Sequence, residues 1–170
     1  MNKIQLNEYL KIAKELIVKD GKLMPVAFLK VKGEESPVIA GLEIPEDQRT
    51  RQFMFFKLGA KVRLDRKEID EITFLSEVWY SNPSKDKFDE NKFIMPSQDP
   101  EKKEAIMILS ADIKGKYNFS IQPFKKEGEK ITFEKDEKVE TDTADKFEDN
   151  LLKWFWRGYE LNINKKDENL

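Results

Sequence analysis

The chain has 170 residues, with 31 Lys and Arg against 33 Asp and Glu, and contains neither cysteine nor histidine. That composition excludes disulfide frameworks, thiolate zinc sites and cysteine nucleophiles. It also excludes every mechanism built on a histidine base or ligand, from Ser-His-Asp hydrolysis to H-E-x-x-H zinc sites and JAB/MPN-type metalloproteolysis. A net charge of −2 leaves no global basic footprint and argues against nucleic-acid binding.

The length predicts one domain, placed at 1–163, with 164–170 as a frayed tail. An apolar fraction of 39% is adequate for a core. The charged fraction of 38% exceeds the roughly 25% of an average domain. This excess fits either surface ion-pair networks of the thermophilic kind or AT-rich codon usage. No apolar run approaches the ~20 residues that span a bilayer, and the N-terminus lacks a signal-peptide core. The expected location is the cytoplasm.

In chain order, residues 3–19 read as a helix, with Leu6, Leu10, Ala13 and Ile17 as its apolar stripe and Tyr9 and Leu16 widening it. Gly21 is its left-handed cap. The continuous apolar run 23–31 reads as a central strand covered on both faces. Gly33-Glu34-Glu35-Ser36 turns the chain into a second strand over 38–44. Pro45-Glu46-Asp47 opens a helix ending near Leu64, with Phe55, Leu58 and Val62 inward and Gly59 allowing close packing.

A third strand covers 70–80. Ile72, Phe74, Ser76, Val78 and Tyr80 point one way, and Thr73, Leu75, Glu77 and Trp79 the other. Residues 81–103 are a long loop with three prolines, of a length that is often functional. Strands follow at 104–112, 116–122 and 130–134. The charged stretch 134–142 reads as a solvated connection. A last helix, from about 143, carries Phe147, Leu151, Trp154 and Phe155 on one side, with Leu152, Trp156 and Tyr159 further round. The order α-β-β-α-β-β-β-β-α predicts an α+β fold, a mostly antiparallel sheet of five to six strands packed with three helices. That order resembles the roadblock and profilin-like class.

Three phrases carry a second resemblance: D-G-K-L-M-P-V-A-F-L at 20–29, S-E-V-W-Y-S at 76–81 and P-S-Q-D-P-E-K-K-E-A at 96–105. Together they resemble an uncharacterised family of small bacterial and phage-associated proteins. Its patterns are D-G-x-x-x-P-V-x-F-L, S-E-A-W and P-S-x-D-P-x-R-x-E-A, and the likeness covers roughly residues 1–125. Val78 replaces the alanine before Trp79, and lysine stands at the basic position near Lys102 or Lys103, without the bidentate fork of arginine. The resemblance marks a surface and implies no chemistry.

Three constellations are candidate sites. Glu77, Asp99 and Glu104 are carboxylates around the long loop. They would act as general acid or base, or hold Mg²⁺ or Mn²⁺ were a cofactor present, although the sequence itself calls for none. The structural alternative pairs Glu77 with Lys102 or Lys103. Trp79 either floors a ligand pocket or, as the expectation favours, packs into the core. The run Trp154-Phe155-Trp156 with Arg157 and Tyr159 has interface composition and predicts a homodimer or protein partner, unless the protomer itself wraps it. The leading expectation is a non-enzymatic interaction or regulatory module. The alternative is a small histidine-free enzyme or ligand-binding protein using Glu77 and the 81–104 loop.

Overall fold

The computed structural model describes residues 3–65, 68–80, 102–135, 137–139 and 150–161. The chain runs α1 (Lys3–Asp20), β1 (Val26–Val31), β2 (Val38–Gly41), α2 (Gln48–Leu64), β3 (Ile69–Tyr80), β4 (Lys103–Asp112), β5 (Tyr117–Glu127), β6 (Lys130–Phe133), β7 (Glu137–Val139) and α3 (Leu151–Leu161). The strands form one antiparallel sheet in the order β2-β1-β3-β4-β5-β6, with β7 pairing β5 at its other end. The α+β architecture matches the sequence expectation, as does the order of its elements with the short β7 added.

Alternation along the strands separates two cores, because successive side chains point to opposite faces. On one face, Ala27, Leu29, Ile72, Phe74 and Ala111 pack with Phe55 and Val62 of α2 and with Leu152, Phe155, Trp156 and Tyr159 of α3. On the other, Leu75, Ile106, Ile108 and Phe124 pack with Leu6, Leu10, Ala13 and Ile17 of α1. The sheet is thus covered by two helices on one face and by one on the other.

Local chemistry sets the ends of these elements. Gly21 has φ 70° and donates its amide to Ile17 O at 2.9 Å, which closes α1. Asp47 is the N-cap of α2 and accepts from Thr50 N at 2.7 Å. The helix therefore begins at Gln48 rather than at Pro45, because a capping carboxylate three residues before a free amide fixes the start more firmly than proline does. The second strand stops at Gly41, short of the expected 44, and β5 runs on through Lys126 to Glu127. Within the charged stretch 134–142, expected as a solvated connection, residues 137–139 pair with Phe119–Ile121 as β7. The start of the last helix near 143, Phe147, the 81–101 loop and the 164–170 tail lie outside the described residues.

Candidate functional site

The register of three strands brings the predicted acids together. Trp79 pairs with Glu104 across β3–β4, and Glu104 pairs with Phe124 across β4–β5. Residues two apart share a face, so Glu77, Trp79, Glu104 and Lys126 stand side by side on the α1 face of the sheet. Asp99 lies outside the described residues.

Glu77 does not pair with Lys102 or Lys103. Its Oε1 accepts from Lys126 Nζ at 2.8 Å, and its Oε2 accepts from Leu23 N at 3.2 Å. The same ammonium lies 3.6 Å from Glu104 Oε1, and over the Phe124 ring at 5.3 Å. Burial pulls the Lys126 pKa down, but the hydrogen bond and charge of Glu77, reinforced by Glu104, outweigh it and raise the pKa above its ordinary value. The lysine is thereby kept protonated, which removes it as a nucleophile. It also stands between the two carboxylates, where a divalent cation would have to sit. Among the described residues no group of three or more acids is arranged to hold a metal.

The expected partners of Glu77 are engaged elsewhere. Lys103 Nζ donates to Glu134 Oε2 at 2.6 Å, and Lys125 stands 3.5 Å from the other oxygen. The Lys103 hydrogen bond, with the charges of Lys103 and Lys125, holds the Glu134 carboxyl below its ordinary range. Lys102 Nζ sits 4.5 Å from the centroid of the Trp79 ring. Trp79 is 49% exposed, which overturns its placement in the core. Alternation assigns it to the α1 face, yet it lies outside the buried cluster that α1 covers there.

The aromatic run of α3 is largely covered by its own protomer. Phe155, Trp156 and Tyr159 are buried against α2 and the sheet, and Tyr159 Oη accepts from Ile69 N at 3.3 Å. Trp154 is half-buried beneath the exposed Arg157, whose guanidinium lies 4.7 Å from its ring. Wrapping by the protomer, the alternative to a partner for this helix, accounts for most of its apolar surface.

A second polar group lies beneath α1. Glu71, Thr73, Ser110 and Ser120 are buried, and Thr73 Oγ1 donates to Glu71 Oε1 at 3.2 Å. Burial first, and then the charges of Glu71 and Glu8, raise the Tyr9 phenol above its usual pKa. These groups are enclosed within the protomer, so they serve the helix–sheet joint rather than an open site.

Two features of this surface escape sequence reasoning. Lys126 falls between the expected strands 116–122 and 130–134, although its even spacing from Gln122 and Phe124 marks it as part of the same strand face. The other feature is an exposed apolar strip. Ile12 and Leu16 share the flank of α1 with Tyr9, whose ring lies 4.6 Å from Phe28. Phe28 pairs with Ile39 of β2, which is 64% exposed. The signal in the sequence was Ile12, an apolar residue lying just off the inward stripe. Comparison with protein-family models, curated proteins and solved structures returns no match.

Proposed function

We propose that the chain is a non-enzymatic protein-interaction module that works through the strip formed by Ile12, Leu16 and Ile39. One relation of sizes carries this reading. Six strands spaced about 4.8 Å apart are roughly 24 Å wide, whereas one helix covers ~10 Å. Two helices suffice for one face. On the other, α1 lies over Leu75, Ile106 and Ile108 of β3 and β4 and half-covers Val26 and Phe28 of β1, which leaves β2 open beside it. Tyr9, on the flank of α1 that carries Ile12 and Leu16, meets Phe28, which pairs with Ile39, and this linked set of apolar side chains is the kind of surface on which a partner docks.

The closed state of Glu77 supports the same conclusion. Its two oxygens are engaged by Lys126 and Leu23, and the same ammonium stands 3.6 Å from Glu104 Oε1. The enzyme or ligand-binding alternative keeps one favourable observation, the exposed Trp79 ring beside Lys102. A thermal-shift screen against divalent metals and metabolites, run with affinity capture of wild type and Ile12→Ser/Ile39→Ser, separates the two. The interaction reading expects a partner retained by wild type and lost by the folded double variant. A small molecule that raises Tm in wild type but not in Trp79→Ala would establish the alternative instead.

A further inference from the structure

We infer that the outer edge of β2 is a docking rail for an extended segment of another protein, apolar at its centre and flanked by lysine or arginine. This proposal rests on the interaction reading above and names the partner of the same surface. β2 ends the sheet path, and no described strand pairs with its outer side. Leu42 N donates to Pro25 O at 2.9 Å, so the residue pairs of that parity exchange the hydrogen bonds with β1. Val38 and Ala40 therefore turn their backbones inward, and Ile39 and Gly41 turn theirs outward. Pro37 has no amide, so an incoming strand first meets an N–H at Ile39.

The strand itself is Val-Ile-Ala-Gly, with none of the charged residues that usually protect an edge. The opposite edge is different: β6 starts on Lys130 and is followed by Glu134 and Lys135. Added strands gain affinity from main-chain hydrogen bonds and specificity from alternate side chains, and the Ile39 side chain stands on the same face as Ile12 and Leu16.

Charge selects the occupant. Residues 33–47 contain Glu34, Glu35, Glu43, Glu46 and Asp47, all exposed, and no lysine or arginine. Of the cations nearby, Lys32 is paired with Glu68 at 3.3 Å, Lys30 lies on β1, and Arg49 and Arg51 lie beyond the cap in α2. A second copy docking by the same edge would set this acidic rim against itself, because a two-fold pairing uses one patch twice. A basic-flanked segment meets it favourably.

The test is fluorescence anisotropy with labelled synthetic peptides. The probe is Lys-Lys-Val-Thr-Val-Thr-Val-Lys-Lys, compared with the same core flanked by glutamates and with a basic peptide carrying proline at its central valine. The expected result is saturable binding of the first peptide, at least about tenfold weaker binding of the other two, and weakening with salt. Ile39→Pro removes the outward amide without touching a bond to β1 and should abolish binding. Ile39→Thr keeps the amide and should retain most of it.

Equal binding of the lysine- and glutamate-flanked peptides overturns the proposal, as does equal binding to Ile39→Pro. A dimer in sedimentation that Ile39→Pro dissolves assigns the edge to a second copy. Slow amide exchange at Ile39 and Gly41 in the free chain, lost when the apolar pair of the 81–103 loop is changed in Phe93→Ser/Ile94→Ser, assigns it to that loop of the chain itself. Either result overturns the basic partner. If the peptides fail while the partner captured by wild type is still lost in Ile12→Ser/Ile39→Ser, the interaction reading stands and the rail falls. If both fail, both fall.

Discussion

Gly59 of α2 lies directly beneath the backbone carbonyl of Phe155 in α3, and Gly158 of α3 lies in the same way beneath the carbonyl of Phe56 in α2. A Cβ on Gly59 would stand 2.9 Å from the Phe155 carbonyl carbon and nearer still to its oxygen. The obstacle is backbone, which cannot swing aside. This reciprocal pair lets the two helices approach closely enough to seal Phe55, Phe155 and Tyr159.

Gly59→Ala is therefore expected to destabilise, although alanine is the better helix former by about 1 kcal/mol. Overpacking costs typically ~1–3 kcal/mol, and the backbone contact places this site toward the upper end. Gly158→Ala should behave alike. The double variant should lose less than the sum of the singles, because both act on one helix contact. Chemical denaturation of the three variants checks this.

Glu77 and Lys126 should act as part of the frame. Glu77→Gln keeps an acceptor for Leu23 N and loses the ion pair, a loss of about 1 kcal/mol for a pair only about a quarter exposed. Glu77→Ala also strands the amide and should lose more, about 1–3 kcal/mol. Because the folded state raises the Lys126 pKa, its contribution is complete below the unfolded lysine value of about 10.4. It is lost as pH rises through the higher folded value. Tm measured against pH should show the advantage of wild type over Lys126→Met shrinking as pH rises through the alkaline range.

Asp47 gives the opposite dependence. Hydrogen bonds from the Thr50 side chain and backbone hold its carboxyl below the usual value. The contribution is present above the unfolded aspartate pKa of about 3.9, and is lost as pH falls through the folded value. Asp47→Ala should lower Tm at neutral pH, Asp47→Asn should lower it less, and both differences should close in acid.

The chain has three tryptophans in distinct surroundings: Trp79 is exposed, Trp154 half-buried and Trp156 buried. Trp79→Phe should remove the red-shifted emission that acrylamide quenches most readily. Trp156→Phe should remove a blue, protected component. If Trp79→Phe left the quenchable fraction unchanged, the open placement of the Trp79 ring would be wrong.

How far the sequence could be read depended on the range of the interactions. The α1 stripe, the two-faced alternation of β3 and the close-packing role of Gly59 follow from local periodicity, and all three are present. The partner of Glu77 is not local. Lys126 lies 49 residues away and reaches Glu77 only because the registers of β3–β4 and β4–β5 add up, and no spacing rule supplies register. Trp79 was misplaced for a related reason, since alternation gives a side chain's face but not the point where a covering helix stops. The open strip depended on the strand order, which puts β2 beyond the reach of α1.

The most direct measurement is crosslinking mass spectrometry in cells expressing wild type, Ile12→Ser/Ile39→Ser or Glu77→Gln, each confirmed as folded by circular dichroism. The account predicts crosslinks from the α1–β2 surface to a partner protein in wild type and Glu77→Gln, and their loss in the double serine variant. Crosslinks that persist in the serine variant and vanish in Glu77→Gln would contradict it and return the function to the carboxylate cluster.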